Sequence, residues 1–325
     1  MKAIRIHEAG GPKVLRYEDV ATPTPGKGEV LIKVAIVGVN YADILSTRGM
    51  VHGPHPIQFP VTPGFEVVGT IAALGEGVTT LTEGARVAAV LDDGGYAEYA
   101  TVNTDAIVKI PDEVDFEQAT ALLVQGITAY GLLHDAIHIQ PKESVLIQAA
   151  GGGVGTLAVQ LAKLAGAGSI IGTGSSAKKR DLAQSLGADS TIDYNQDNWV
   201  QQVYEATGGQ GVNAVLESVG GTIGSQAFQC LAPLGRLVIF GSASGQPMPP
   251  FDLMQMSFKG LTVSGYGGPW LRPGRAQAAR EAITRYLIAK QLRVIVGQSF
   301  PLAEASDALQ ALMGRETIGK VLLHV

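Results

Sequence analysis

The residues best suited to chemistry form a run of small side chains, Ala150-Gly151-Gly152-Gly153-Val154-Gly155. The apolar stretch Ser144-Val145-Leu146-Ile147-Gln148-Ala149-Ala150 leads into it and reads as a buried strand. Val154 to Ala165 follows, with Leu157, Leu161 and Leu164 on one face and Gln160 and Lys163 on the other, which is the period of a helix. Strand, glycine turn and helix in that order build an anion site. Gly152 lets the backbone approach a pyrophosphate, and Gly155 lets the helix pack on the strand. The helix N-terminus then presents free N–H groups and a partial positive charge, to which Gly153 and Val154 contribute. Ala150 at the first position still permits a tight turn. A glycine turn with no ligand is the competing reading, but the strand–turn–helix setting favours a dinucleotide.

The second strand, Ser169-Ile170-Ile171-Gly172-Thr173, should end beside the adenosine ribose. NAD-selecting proteins usually carry Asp or Glu there, about 20 residues beyond the turn, to accept from the 2′-hydroxyl. Here the strand runs into Gly174-Ser175-Ser176-Ala177-Lys178-Lys179-Arg180. A carboxylate would repel a 2′-phosphate, whereas Ser and Lys hydrogen-bond and neutralise it. The expectation is therefore NADP(H), with Lys179 and Ser175 as phosphate ligands. Two of the three cations at 178–180 are expected on the solvated face of a helix.

The elements that must position this turn change texture along the 325 residues. Residues 1 to about 118 are β-rich. Val30 to Val37, Val67 to Leu74 and Ala85 to Val90 are strands separated by Gly, Pro and Asp clusters, a spacing that predicts a barrel or sandwich. From 119 to 261 strands alternate with helices, which predicts a parallel, doubly wound sheet. Helices near 276–290 and 303–313 and a final strand from Lys320 to Val325 make a tail with no core of its own. Its expected home is the first domain, so the predicted domains are 1–118 with 262–325, and 119–261.

Composition limits the function. Net charge is −5 and no long Lys/Arg run occurs, which argues against a nucleic-acid or anionic-membrane surface. No window approaches ~18 uninterrupted apolar residues, so no membrane span is expected. A single cysteine, Cys230, excludes an internal disulfide and a Cys-rich zinc site. Cys230 itself reads as core. The N-terminal residues alternate like a strand, without a signal peptide's apolar core, and a cytoplasmic protein is expected.

Several segments carry a resemblance to the medium-chain dehydrogenases/reductases along nearly the whole chain. Gly64-Phe65-Glu66-Val67-Val68-Gly69-Thr70-Ile71 continues through Gly75, Val78, Leu81, Gly84 and Arg86-Val87 with that family's first-domain spacing. Gln125-Gly126-Ile127-Thr128-Ala129-Tyr130 precedes the glycine turn as it does in the family. The resemblance implies an α/β protein, with a GroES-like β-barrel catalytic domain, a Rossmann domain and an active site between them.

Zinc members of the family hold their catalytic metal with Cys, His and Cys. In the matching segments of this sequence stand Asn40, Phe65 and Gln125, which do not make a tetrahedral N/S shell. Without a Lewis acid, alcohol oxidation is disfavoured. The chain is most similar to the zinc-free branch of quinone oxidoreductases and NADPH-dependent enone reductases. That resemblance implies Tyr194 and Arg315 beside the 2′-phosphate. Leu45 stands where quinone oxidoreductases carry a Tyr, which makes the pocket more apolar and leaves the acceptor open.

The implied reaction sends a hydride to a quinone or to the C=C bond of an enone. The acceptor carries its own electron sink, so the protein need only position it and donate a hydrogen bond to the developing oxyanion. Asn40, Tyr41, Gln125 and Thr128 are the candidate donors, and the competing reading of Asn40 is a satisfied buried amide. Phe240-Gly241-Ser242 and Gly265 end later strands, where the nicotinamide should rest. Asp43 and Glu66 are expected to hold loop backbone. His52 and His55 read as exposed loop residues, and residues 45–60 and 266–275 should line the entrance. The apolar sheet edge at 236–240 and 261–265 predicts a homodimer. A non-catalytic NADPH-binding sensor or crystallin-like protein is the alternative function.

Overall fold

The structure is a computed structural model that describes residues 1–50, 57–268 and 273–325. His52 and His55 lie outside the described residues. In chain order it begins with β1 (Lys2–Arg5), β2 (Arg16–Asp19), β3 (Glu29–Val39), α1 (Tyr41–Thr47), β4 (Glu66–Leu74) and β5 (Arg86–Val90). Then come β6 (Tyr99–Asn103), β7 (Ile107–Lys109), α2 (Phe116–Ala119) and α3 (Val124–Gly131). An alternating stretch follows: β8 (Ser144–Ile147), α4 (Gly153–Leu164), β9 (Ser169–Thr173), α5 (Ala177–Leu186), β10 (Ser190–Ile192) and α6 (Trp199–Ala206). It continues with β11 (Val212–Glu217), α7 (Gly221–Gln229), β12 (Leu231–Ile239), α8 (Leu253–Lys259), β13 (Thr262–Gly265) and α9 (Pro273–Ile288). The chain closes with β14 (Val296–Pro301), α10 (Ala305–Met313) and β15 (Lys320–His324).

Two compact units result, residues 1–124 with 287–325, and residues 125–286. In the first, the sheet order is β14-β15-β3-β4-β5-β7, with β6 also on β3. Lys33 is the one exposed residue of β3, while Val30, Ile32, Val34, Val37 and Val39 enter the core. The alternation slips between Val34 and Val37, where the pairing with β4 shifts register. An extra residue on one strand produces such a slip and bends the sheet. The terminal strand β15 is central rather than peripheral, running antiparallel to β3 and parallel to β14.

In the second unit the order is β10-β9-β8-β11-β12-β13, and every pairing is parallel. The order reverses between β8 and β11, the point at which such sheets bind dinucleotides. Strand β13 pairs with β12. The second unit therefore extends to Tyr286, past the boundary at 262 that the sequence suggested. Helix α4 is buried nearly all round. Gln160, expected on a solvated face, is buried and donates to the Thr156 carbonyl at 2.9 Å. Cys230 is core as expected, and burial pushes its thiol up to about 12, which makes it inert.

Candidate functional site

The glycine turn is built by close approach. At Gly155 a Cβ would sit 2.2 Å from the Ala149 carbonyl oxygen and 2.7 Å from Ala150 Cα, so α4 rests directly on the end of its strand. Ala149 itself takes a left-handed backbone, φ 49°. At Gly153 a Cβ would fall 2.1 Å from Gln125 Oε1, so the Gln125 side chain occupies the space a larger residue would need. At Gly152 the same atom would meet only the Ala149 oxygen, at 3.2 Å. Gly152 caps α4 without a side-chain bond, and no acidic residue lies in the first turn. The N–H groups of the first helical turn are thus available to an anion. Three buried side-chain oxygens, Gln148 Oε1, Thr173 Oγ1 and Glu217 Oε2, have no hydrogen-bond partner among the described residues. They belong to the carboxyl ends of β8, β9 and β11, where a polar ligand would complete them. These features fit a dinucleotide. Burial raises the Glu217 carboxyl, whose other oxygen accepts from the Val219 and Gly220 N–H groups at 2.7 Å each.

The selector turn packs against this site. A Cβ at Gly151 would lie 2.7 Å from Lys179 Cβ and 2.8 Å from the Lys179 carbonyl oxygen. Lys179 is half-buried and Lys178 exposed. Arg180, expected to be solvated, is instead 22% exposed and ion-paired to Asp193 at 2.9 Å. Ser175 is half-buried, and Asn195 Nδ2 donates to its carbonyl at 3.2 Å. Tyr194 is buried among the core residues that include Trp199 and Ile192. The structure therefore gathers Ala150, Gly152, Gly153, Val154, Gly155, Ser175, Lys179 and Gln125 at one end of the sheet.

The remaining sites are more dispersed. Phe240 N–H donates to the Glu217 carbonyl at 2.9 Å, and exposed Gly241 and Ser242 continue from it. Gly265 ends β13, pairing with Ile239. Thr128 is half-buried on α3. Arg315 is exposed after α10 in the first unit, with φ 59°. Tyr41 opens α1 and packs partly against the first unit's core.

Asn40 sits in a buried polar frame that sequence reasoning only half anticipated. Its Nδ2 donates to the Gly38 carbonyl at 3.1 Å and to Glu66 Oε2 at 2.9 Å, and Lys320 Nζ lies 3.3 Å from its Oδ1. Both amide hydrogens are therefore committed inside the protein, and Asn40 positions rather than donates. Glu66 forms an ion pair with Lys320 at 2.8 Å, the two side chains being 0% and 2% exposed. Lys320 was missed. The only signal was a cation opening the apolar run Val321-Leu322-Leu323. Asp43 Oδ2 accepts from the Asn40 N–H at 2.7 Å and from the Tyr96 hydroxyl at 3.1 Å, which fixes the start of α1 and with it Tyr41.

Burial pushes the Asp43 carboxyl up to about 7 despite those two donors. A folded value above the unfolded one contributes stability at low pH that is lost as pH rises toward 7. Asp43→Asn should therefore gain on the wild type by roughly 3 kcal/mol between about pH 4 and 7, read from urea midpoints. A pH-independent difference would contradict this.

Comparison with known proteins agrees with the geometry. Residues 26–112 match the alcohol dehydrogenase GroES-like domain, and residues 153–284 match the zinc-binding dehydrogenase family. The chain is 36% identical to a quinone oxidoreductase of Pseudomonas aeruginosa, over 99% of both chains. It is 32% identical to a 2-haloacrylate reductase of a Burkholderia species, over 98% of this chain and 97% of the other. The structure of Escherichia coli quinone oxidoreductase complexed with NADPH superposes with a TM-score of 0.91 at 30% identity, covering 100% of both chains.

Proposed function

This chain belongs to the quinone oxidoreductase branch of the medium-chain dehydrogenase/reductase superfamily, and from that premise we propose that it reduces quinones or carbon–carbon double bonds conjugated to a carbonyl. It is an NADPH-dependent oxidoreductase. The observation that carries the proposal is the state of Asn40. This amide stands where zinc members of the family place a thiolate, and its hydrogens and oxygen already face Gly38, Glu66 and Lys320. Such a group offers nothing to a Lewis acid, so the acceptor must arrive already activated. Quinones and 2-haloacrylate, the substrates in the names of two relatives, share that property.

Bound NADPH supplies the hydride. The chain's own residues do the rest. The first turn of α4 would hold the pyrophosphate, and Lys179 and Ser175 the 2′-phosphate. Phe240, Gly241, Ser242 and Gly265, at the ends of β12 and β13, would line the nicotinamide. With the Asn40 amide committed, the Thr128 hydroxyl is the candidate in the second unit to orient the acceptor and donate to its oxyanion. NADPH consumption should appear with 1,4-benzoquinone, cyclohexenone, an enal or an enoyl thioester. Tight NADPH binding with no turnover on any of them would favour a non-catalytic cofactor-binding protein.

The chain works as a homodimer in this reading. Among the described residues strand β13 ends its sheet, and the neighbouring surface carries Leu234, Leu253, Met254 and Phe258 at 75%, 74%, 60% and 82% exposure. An open strand edge beside such side chains is an aggregation hazard that a symmetric copy removes. Phe258→Glu should shift the sedimentation profile toward monomer. An unchanged profile would place the contact elsewhere. Among the described residues no helix is long and apolar enough to cross a membrane.

A further inference from the structure

We propose that Arg180 determines cofactor choice by neutralising Asp193, a carboxylate that the third strand of the second unit delivers to the selector turn. The proposal rests on the assignment of the 2′-phosphate to Ser175 and Lys179.

The end of β9 carries no carboxylate, but β10 lies parallel to it with Ile192 opposite Thr173. The next residue, Asp193, therefore arrives beside Gly174 and Ser175. Contacts with Gly174, Asn195 and Arg180 fix it there. Gly174 N–H donates to the Ile192 carbonyl at 3.1 Å. Asp193 Oδ1 accepts from Asn195 N–H at 3.0 Å and from Asn195 Nδ2 at 2.9 Å, and Asn195 Nδ2 also reaches the Ser175 carbonyl. The other carboxylate oxygen meets Arg180 Nη1 at 2.9 Å, and the same nitrogen donates to the Gly174 carbonyl at 3.0 Å.

A bare carboxylate next to a 2′-phosphate site favours the ribose hydroxyl of NADH and repels NADPH. With Arg180 in place the local charge from this pair is zero, and the side chains of Lys179 and Ser175 set the preference. The partners are 22% and 21% exposed, so water screens the pair only partly. A purely structural clamp would behave differently, because breaking it from either side would weaken both cofactors alike.

The test is the ratio of Kd for NADH to Kd for NADPH, from nicotinamide fluorescence titrations of the full-length protein. In Arg180→Gln that ratio should fall about tenfold, an effect of about 1.4 kcal/mol. In Asp193→Asn it should stay level or rise. In the double variant Arg180→Gln/Asp193→Asn it should return to within about threefold of wild type, and this neutral pair also serves if the single variant folds poorly. A wild type that prefers NADPH, with a ratio unmoved by Arg180→Gln or lowered equally by both single substitutions, overturns the proposal alone. A wild type with no preference overturns the 2′-phosphate assignment and the proposal with it.

Discussion

Replacing Lys179 by alanine is expected to weaken NADPH binding by roughly 10- to 100-fold while leaving NADH binding within about twofold. A hydrogen bond to a charged group is worth about 1.5–3 kcal/mol, and every ~1.4 kcal/mol is tenfold in Kd. Lys179 suits that estimate because its backbone is fixed, packed where a Cβ at Gly151 would stand. Lys178, one residue earlier and exposed, is the internal control. Its alanine variant should bind both cofactors as the wild type does. Equal losses for NADPH and NADH in Lys179→Ala would mean that the lysine shapes the turn rather than reading the phosphate.

The second large effect lies in the other unit. Lys320→Met should destabilise the protein by about 3–5 kcal/mol, because it leaves the Glu66 carboxylate buried without its cation. For a domain of this size each kcal/mol moves Tm by about 2–4 °C, so a fall of roughly 6–20 °C is expected in thermal denaturation. Adding Glu66→Gln should recover most of the loss, since a neutral amide in that space no longer needs a counter-ion. The pair is a cost as well as a support, for well-packed neutral side chains often replace a buried ion pair without penalty. A Lys320→Met protein that melts within about 2 °C of wild type would show that water reaches the frame.

Much of the second unit was legible in the sequence because its signals are local. A buried strand, three consecutive glycines and an amphipathic helix occupy adjacent segments, and each element agrees with the next. What local pattern hides is any partner that arrives from a distant strand. Lys320 looked like the polar start of a C-terminal strand, and only the sheet places it beside Glu66 and Asn40. Arg180 looked like part of a charged helix face, because Asp193 is supplied by β10. Gln160 fails for another reason: the helical period marked it as polar, but α4 is covered on that side too, and its amide turns back to the Thr156 carbonyl. The Asn40 amide was identified by position, yet its hydrogen-bond inventory required the fold.

The placement of β15 sets an order of events during synthesis. Asn40 and Lys320 are 280 residues apart, yet they belong to one buried cluster. On a ribosome, residues 125–286 emerge as an uninterrupted stretch and are free to condense while the remainder is still being translated. The amino-terminal barrel has to wait with an unfilled slot beside β3 and with Glu66 still lacking its cation. A nascent chain stalled just short of codon 320 should therefore carry a protease-resistant middle and a protease-sensitive beginning.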